Sequence, residues 1–125
     1  MEKREVISKG NNQYLEWTEE LYEDDEFITY IEWGYSNEIN LGPGIDEDIE
    51  YIIKIKKDQL KNLTFEKLAF VLKNLNTKLK LHSFRSFLDN KDIKYDFQIW
   101  WVILGRKTWG NFGEYYCYIM FSFIA

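Results

Sequence analysis

Between Ile49 and Lys56 the chain alternates: Ile49, Tyr51, Ile53 and Ile55 fall on one face, and Glu50, Lys54 and Lys56 mark the other as solvated. A period of two is the signature of a strand with one covered and one wet side. Upstream, FITYIEWGYS (Phe27 to Ser36) is rich in β-branched and aromatic residues, which predicts another strand with Phe27, Thr29, Ile31, Trp33 and Tyr35 on one face. At Thr64 the period changes to 3.6. Phe65, Leu68, Ala69, Leu72, Leu75 and Leu79 trace an apolar stripe, while Glu66, Lys67, Lys73 and Lys78 lie off it, which predicts one main amphipathic helix over about 64–80. Thr64 is a capping residue, Glu66 places an anion in the first turn, and Leu63 and Leu68 occupy the positions of a hydrophobic staple. Phe84, Phe87 and Leu88 then predict a second, short helix that ends at DNKD (Asp89 to Asp92).

The ends of the chain read less simply. Arg4 to Lys9 has the form of a strand, Lys9 to Asn12 of a turn and Gln13 to Trp17 of a second strand, but Tyr14, Trp17, Leu21 and Tyr22 also fit helical spacing. The stretch NEINLGPGIDED, with Gly-Pro-Gly at 42–44, reads as a loop. Phe97 to Leu104 and Tyr115 to Phe123 are apolar at both odd and even positions, as in strands covered on both sides, and predict a C-terminal β-hairpin. Helices cover one face of such a sheet. The other is left for the N-terminal segment, a second copy or a partner, because an uncovered apolar face larger than about 300–600 Å² marks an interface. The expected fold is therefore α+β: a single domain over 1–125, with a mainly antiparallel sheet of about 4–6 strands and both helices on one face.

Composition supports that picture and sharpens it. A chain of 125 residues with 46% hydrophobic content and 1 Pro has the size and apolar content of one ordered domain. Aromatic residues make up 18%, an unusually dense share that serves either a core or a binding face, and composition does not separate the two. The N-terminus is charged, without the apolar run of a signal peptide, and no apolar stretch approaches the ~18 residues of a membrane span, so a cytoplasmic protein without membrane contact is expected. The single Cys117 excludes a disulfide framework within the chain and a CxxC site, and the sequon at Asn62 carries no weight without a secretory signal.

Charge is the most specific feature. Residues 1–50 hold 15 acids against 3 bases, residues 51–125 hold 6 acids against 13 bases, and between Gly10 and Ile53 there are 13 acids and no Lys or Arg. The chain thus has an acidic segment over 10–53 and a lysine-rich C-terminal half. The acids concentrate in EELYEDDE (Glu19 to Glu26) and DEDIE (Asp46 to Glu50). One reading is a solvated loop balanced by the lysines of the second half; the other is an acidic face that steers a basic partner and repels nucleic acid.

No catalytic constellation or cofactor motif accompanies these features. An EF-hand reading of Asp46, Asp48 and Glu50 fails because Tyr51 and Lys57 stand where Gly and Glu are required. LGRKT (Leu104 to Thr108) lacks the Gly-Lys order of a phosphate-binding loop and reads as a cationic turn. His82 is the sole histidine, and no nucleophile motif surrounds Ser83, Ser86, Ser122 or Cys117. The expectation is a non-catalytic binding protein, without metal or cofactor, monomeric or homodimeric. It inhibits a protein with a basic surface, such as a nuclease-like or other nucleic-acid-handling effector or a toxin. This is the profile of toxin-immunity proteins and of phage anti-defence inhibitors such as anti-CRISPR proteins, a likeness of profile without a shared motif. The expected contact residues are Glu19, Glu20, Glu23, Asp24, Asp25, Glu26, Asp46, Glu47 and Asp48 for charge, with Trp33, Tyr35 and Trp109 as aromatic anchors. The alternatives are a ligand-binding domain or enzyme with an aromatic pocket and a buried carboxylate, Glu32 or Glu114, and a structural homo-oligomer.

Overall fold

The computed structural model describes residues 2–11, 15–36, 45–75, 80–106 and 114–124, with side chains for 2–11, 15–36, 48–75 and 80–100. Among the described residues six strands form one antiparallel sheet in which every strand lies beside its neighbour in sequence. They are β1 (Lys3–Asn11), β2 (Leu15–Glu23), β3 (Phe27–Ser36), β4 (Ile45–Lys56), β5 (Asp96–Arg106) and β6 (Glu114–Ile124). Between β4 and β5 the chain passes through a single 3-10 turn (Lys57–Gln59) and two helices, α1 (Phe65–Lys73) and α2 (Lys80–Asn90). The fold is α+β, and the C-terminal hairpin has the expected place at one end of the sheet, with Asp96 opposite Ile124 and Arg106 opposite Glu114.

Both helices lie on one side of the sheet. The core between the layers takes Leu21 from β2, Ile28 and Tyr30 from β3, Ile53 and Ile55 from β4 and Phe97 from β5. Phe65, Leu68, Ala69 and Leu72 of α1 and Phe84 and Leu88 of α2 meet them. At about 1.5–3 kcal/mol for each large apolar side chain removed from water, this layer is the main favourable contribution to folding. Ion pairs from Lys3 to Glu66 (2.8 Å) and from Lys73 to Glu5 tie β1 to α1 along their exposed edges.

The described residues between 4 and 22 belong to two strands rather than a helix, and β1 runs on through Lys9, Gly10 and Asn11, where a turn was expected. Leu21 turns inward while Tyr22 reaches Glu2 on the other side, as period two requires and period 3.6 does not. A bulge between Val6 and Ser8 shifts the β1–β2 register and brings Gly10 opposite Trp17. Glycine is needed there, since a Cβ would stand 2.4 Å from the Trp17 ring. Two acidic stretches read as loops are largely strand. Glu19 to Glu23 belong to β2 and Asp46 to Asp48 to β4, leaving Asp24 to Glu26 as the turn.

The single helix expected over 64–80 stops at Lys73. Asn74 ends it: its backbone N–H bonds back to the carbonyls of Phe70 and Val71, and its side-chain amide also donates to Phe70 O at 2.7 Å. Asparagine competes for helix carbonyls in this way and is a poor interior residue. Leu79 of the predicted stripe lies outside the described residues. The start of the helix is as expected, with Thr64 Oγ1 accepting from the Lys67 N–H at 3.2 Å and Leu68 completely buried. In β3 the apolar-looking odd positions face away from the helices, and the buried face is Ile28, Tyr30 and Glu32.

Helix α2 ends in a Schellman motif. Ile93 N–H bonds to Leu88 O and Asp92 N–H to Asp89 O, both at 3.0 Å, with Asp92 in the left-handed region at φ 56° and Ile93 buried. Glycine carries no Cβ penalty in that conformation. Asp92→Gly is therefore expected to raise stability by about 0.5–1 kcal/mol, read as a higher denaturation midpoint at unchanged slope. A lower midpoint would mean that the Asp92 side chain has a structural part of its own.

Candidate functional site

The sheet face away from the helices is built by three rows of side chains, each defined by strand register. Thr18, Trp33, Glu50 and Trp100 stand side by side on β2 to β5; Glu16, Tyr35 and Asp48 form the row on one flank, and Glu20, Ile31, Ile52 and Gln98 the row on the other. Trp33 and Tyr35 stack nearly parallel, with ring centroids 6.2 Å apart. Trp100 is 38% exposed and donates its indole N–H to Gln98 Oε1 at 3.3 Å. Val6, opposite Glu20 on β1, extends the apolar part of the surface at 45% exposure. Among the described residues neither helix approaches this face, so its aromatic groups are not there to fill the core.

Two carboxylates sit among these rings. Asp48 accepts a hydrogen bond from the Trp33 side chain, while its Oδ1 is buried with no hydrogen-bond partner among the described residues. Burial pushes Asp48 above the usual carboxylate range, and burial together with the neighbouring Asp48 charge pushes Glu50 up as well. Among the described residues no Lys or Arg pairs with either. Of the cations on this face, Arg4 is held by Glu20 at 2.7 Å and Lys54 lies over the Phe27 ring at 4.3 Å from its centroid, while Lys9 stands opposite Thr18 at the far side of Trp33 from Glu50. A groove of about 320 Å³ opens beside Trp33, lined by Lys9, Glu16, Trp17 and Thr18.

Comparison with protein-family models, curated proteins and solved structures finds no match for this chain. Function must be argued from the site itself.

The expected contact residues divide accordingly. Trp33, Tyr35 and Asp48 meet on the open face. Glu20 lies on it, in its ion pair with Arg4. Glu26 and Asp25 are exposed in the β2–β3 turn, Glu23 faces Lys57 at 3.6 Å, and Asp24 holds the turn by accepting from the N–H groups of Glu26 and Phe27 at 2.8 Å each. Those two bonds hold the Asp24 carboxyl below its usual range and give it a structural task. Asp46 and Glu47 lie on β4 without described side chains, and Trp109 is outside the described residues. Glu19 is corrected: it is 3% exposed and turned toward the helices, because it shares the inward parity of Leu21.

Glu19 belongs to a buried polar cluster instead. The Tyr30 hydroxyl donates to Glu32 Oε1 at 2.6 Å and lies 3.3 Å from Glu19 Oε2, and Glu32 also accepts from the backbone N–H groups of Lys80 and Leu81 at the start of α2. Lys80, 9% exposed, donates to Leu75 O at 2.8 Å. Glu32 was the candidate for a carboxylate in a ligand pocket; it is buried, but its surroundings are protein groups that satisfy it. The cluster fastens the first turn of α2 to the sheet.

Two residues of the open face, Glu50 and Trp100, were not among the expected contacts. Their signal was present: Glu50 lies on the wet side of the β4 alternation, and Trp100 and Trp101 are neighbours and must point to opposite faces. Only strand register sets the two beside each other.

A second concavity, of about 420 Å³, lies between the helices and is lined by Leu63, Phe70, Val71, Phe87, Lys67 and Lys91, with Glu66 already taken by Lys3. Among the described residues no group of three or more His, Cys, Asp or Glu is placed to hold a metal ion, and no helix is long and apolar enough to cross a membrane.

Proposed function

We propose that this chain is a non-catalytic acidic binding protein that acts in the cytoplasm and inhibits another protein with a basic surface, such as a nuclease, another nucleic-acid-handling enzyme or a toxin. The observation that carries the reading is the open sheet face, where three aromatic side chains and two partly buried carboxylates, without a cation among the described residues, share adjacent rows. Aromatic side chains give contact area with few rotamers to freeze, and a carboxylate already partly screened from water has less hydration left to lose when a cation arrives. The surrounding acids steer a basic partner toward this face and compete with phosphates for its Lys and Arg side chains. Such a contact inhibits by occupying the surface the partner uses for nucleic acid.

The test is capture from host lysate at low and high salt with the tagged protein, followed by assay of the captured enzyme on nucleic acid. Wild type is expected to suppress the activity. Trp100→Ala, an exposed position, is expected to weaken binding at least about 30-fold, as loss of an interface anchor does. Glu16→Lys with Glu26→Lys is expected to slow association several-fold at low salt and much less at high salt. Binding that neither variant changes would remove the open face from the function.

A further inference from the structure

We infer that the open face holds a seat for one arginine side chain of the partner, formed by Glu50 between the indoles of Trp33 and Trp100, with Asp48 at its edge. The inference rests on reading this face as the binding surface and names the group it takes. Register is the first argument. Trp33, Glu50 and Trp100 are direct cross-strand neighbours on β3, β4 and β5, so a carboxylate stands between two indoles about one strand spacing, roughly 4.8 Å, from each. The second argument is hydrogen bonding. Both indole N–H groups are engaged, Trp33 with Asp48 and Trp100 with Gln98, which fixes the rings; Tyr35 stacks on one side of Trp33, and the half-exposed Trp100 offers the ring on which a guanidinium can lie. The third is charge. Two carboxylates two residues apart on one strand face, with no cation paired to either and no donor to the buried Oδ1 of Asp48 among the described residues, complement a positive group.

Arginine fits this combination better than lysine. Its guanidinium is planar, stacks on aromatic faces, and presents several N–H donors in a fixed fork to carboxylate oxygens. An ammonium group is a compact, strongly hydrated charge without a plane to lay on an indole. Lys54 over Phe27, 4.3 Å from the ring centroid, shows that this face already accommodates a cation on a ring elsewhere.

The experiment titrates the full chain with N-acetyl-arginine amide, N-acetyl-lysine amide and N-acetyl-citrulline amide, following the indole N–H signals of Trp33 and Trp100 by NMR. The arginine probe is expected to bind in the millimolar range, on the order of 1–10 mM, and to shift both signals. Lysine is expected to bind several-fold more weakly. Citrulline, which keeps the shape and loses the charge, is expected to produce no saturable shift. Glu50→Gln is expected to weaken the arginine probe about tenfold while leaving the circular dichroism spectrum unchanged. Equal affinity for arginine and lysine, or saturable binding of citrulline, would overturn the guanidinium assignment. No shift with any probe would overturn the seat itself. Neither result decides the proposed function, which stands or falls on partner capture and on Trp100→Ala and the charge reversals.

Discussion

Phe84→Ala is expected to destabilise the protein by about 3–5 kcal/mol, the range for deleting a buried aromatic ring and leaving the space partly unfilled. Phe84 is completely buried. Its ring meets the edge of Tyr30 at a centroid distance of 5.2 Å and lies nearly parallel to Phe87 at 6.5 Å. It is also the apolar neighbour of the cluster that fastens α2, since the Tyr30 hydroxyl it packs beside is the donor to Glu32. Removing the ring therefore opens a space next to carboxylates that are tolerable only while dry and bonded. Small domains are stable by about 5–15 kcal/mol in all, so the loss is a large fraction of the total. Chemical denaturation followed by tryptophan fluorescence measures this directly. A loss below about 1 kcal/mol would show that α2 is not seated in the core as described.

What was legible in the sequence follows from which forces are local. The alternation of β4 and the cap at Thr64 depend on near neighbours, and both are where the pattern places them. The inward turn of Glu19 and Glu32 depends on partners far along the chain: the first-turn N–H groups of α2 and the Lys80 ammonium lie roughly 50–60 positions away and have no trace in the local pattern. A pattern reader assigns acids to the solvent, and here the buried rows of β2 and β3 carry one each. The end of α1 was missed for a related reason, because the apolar stripe continues in sequence past Asn74 while the backbone does not. On the candidate site, aromatic excess and acidic bias pointed to Trp33, Tyr35 and Asp48. The Trp33–Glu50–Trp100 row needed the register of three strands, which single-chain periodicity leaves open.

Stability is expected to fall as pH rises from about 5 to 8, with the pair Glu19 and Glu32 as the main cause and the raised carboxyls of Asp48 and Glu50 acting in the same direction. Burial is the largest influence on both carboxyls. In Glu19 it acts together with the neighbouring Glu32 charge to push the group up from 4.5 to about 7, against the opposing effects of Lys80 and the Tyr30 hydroxyl. Glu32 is also pushed up by burial, opposed by the Tyr30 hydroxyl and by the Lys80 and Leu81 N–H groups. The sign follows from proton counting. Below about pH 4.5 folded and unfolded chains both hold the proton. Between 4.5 and about 7 the unfolded chain has released it and the folded chain still holds it, so each step upward in pH favours unfolding until the folded carboxyl also ionises. The stabilisation present at pH 5 is thus lost by pH 8, an expected decrease of about 2 kcal/mol after allowance for partial solvent screening. Asp24 shifts the opposite way, but its contribution falls in the acid range below the window and leaves this slope unchanged. Glu19→Gln replaces the titrating group by a neutral amide of the same shape that can donate to Glu32. Its denaturation midpoint is expected to vary much less between pH 5 and 8 and to exceed that of wild type at pH 8. A wild-type midpoint that is flat across this interval, or a Glu19→Gln variant with the full pH dependence, would show that the proton is not held between β2, β3 and α2.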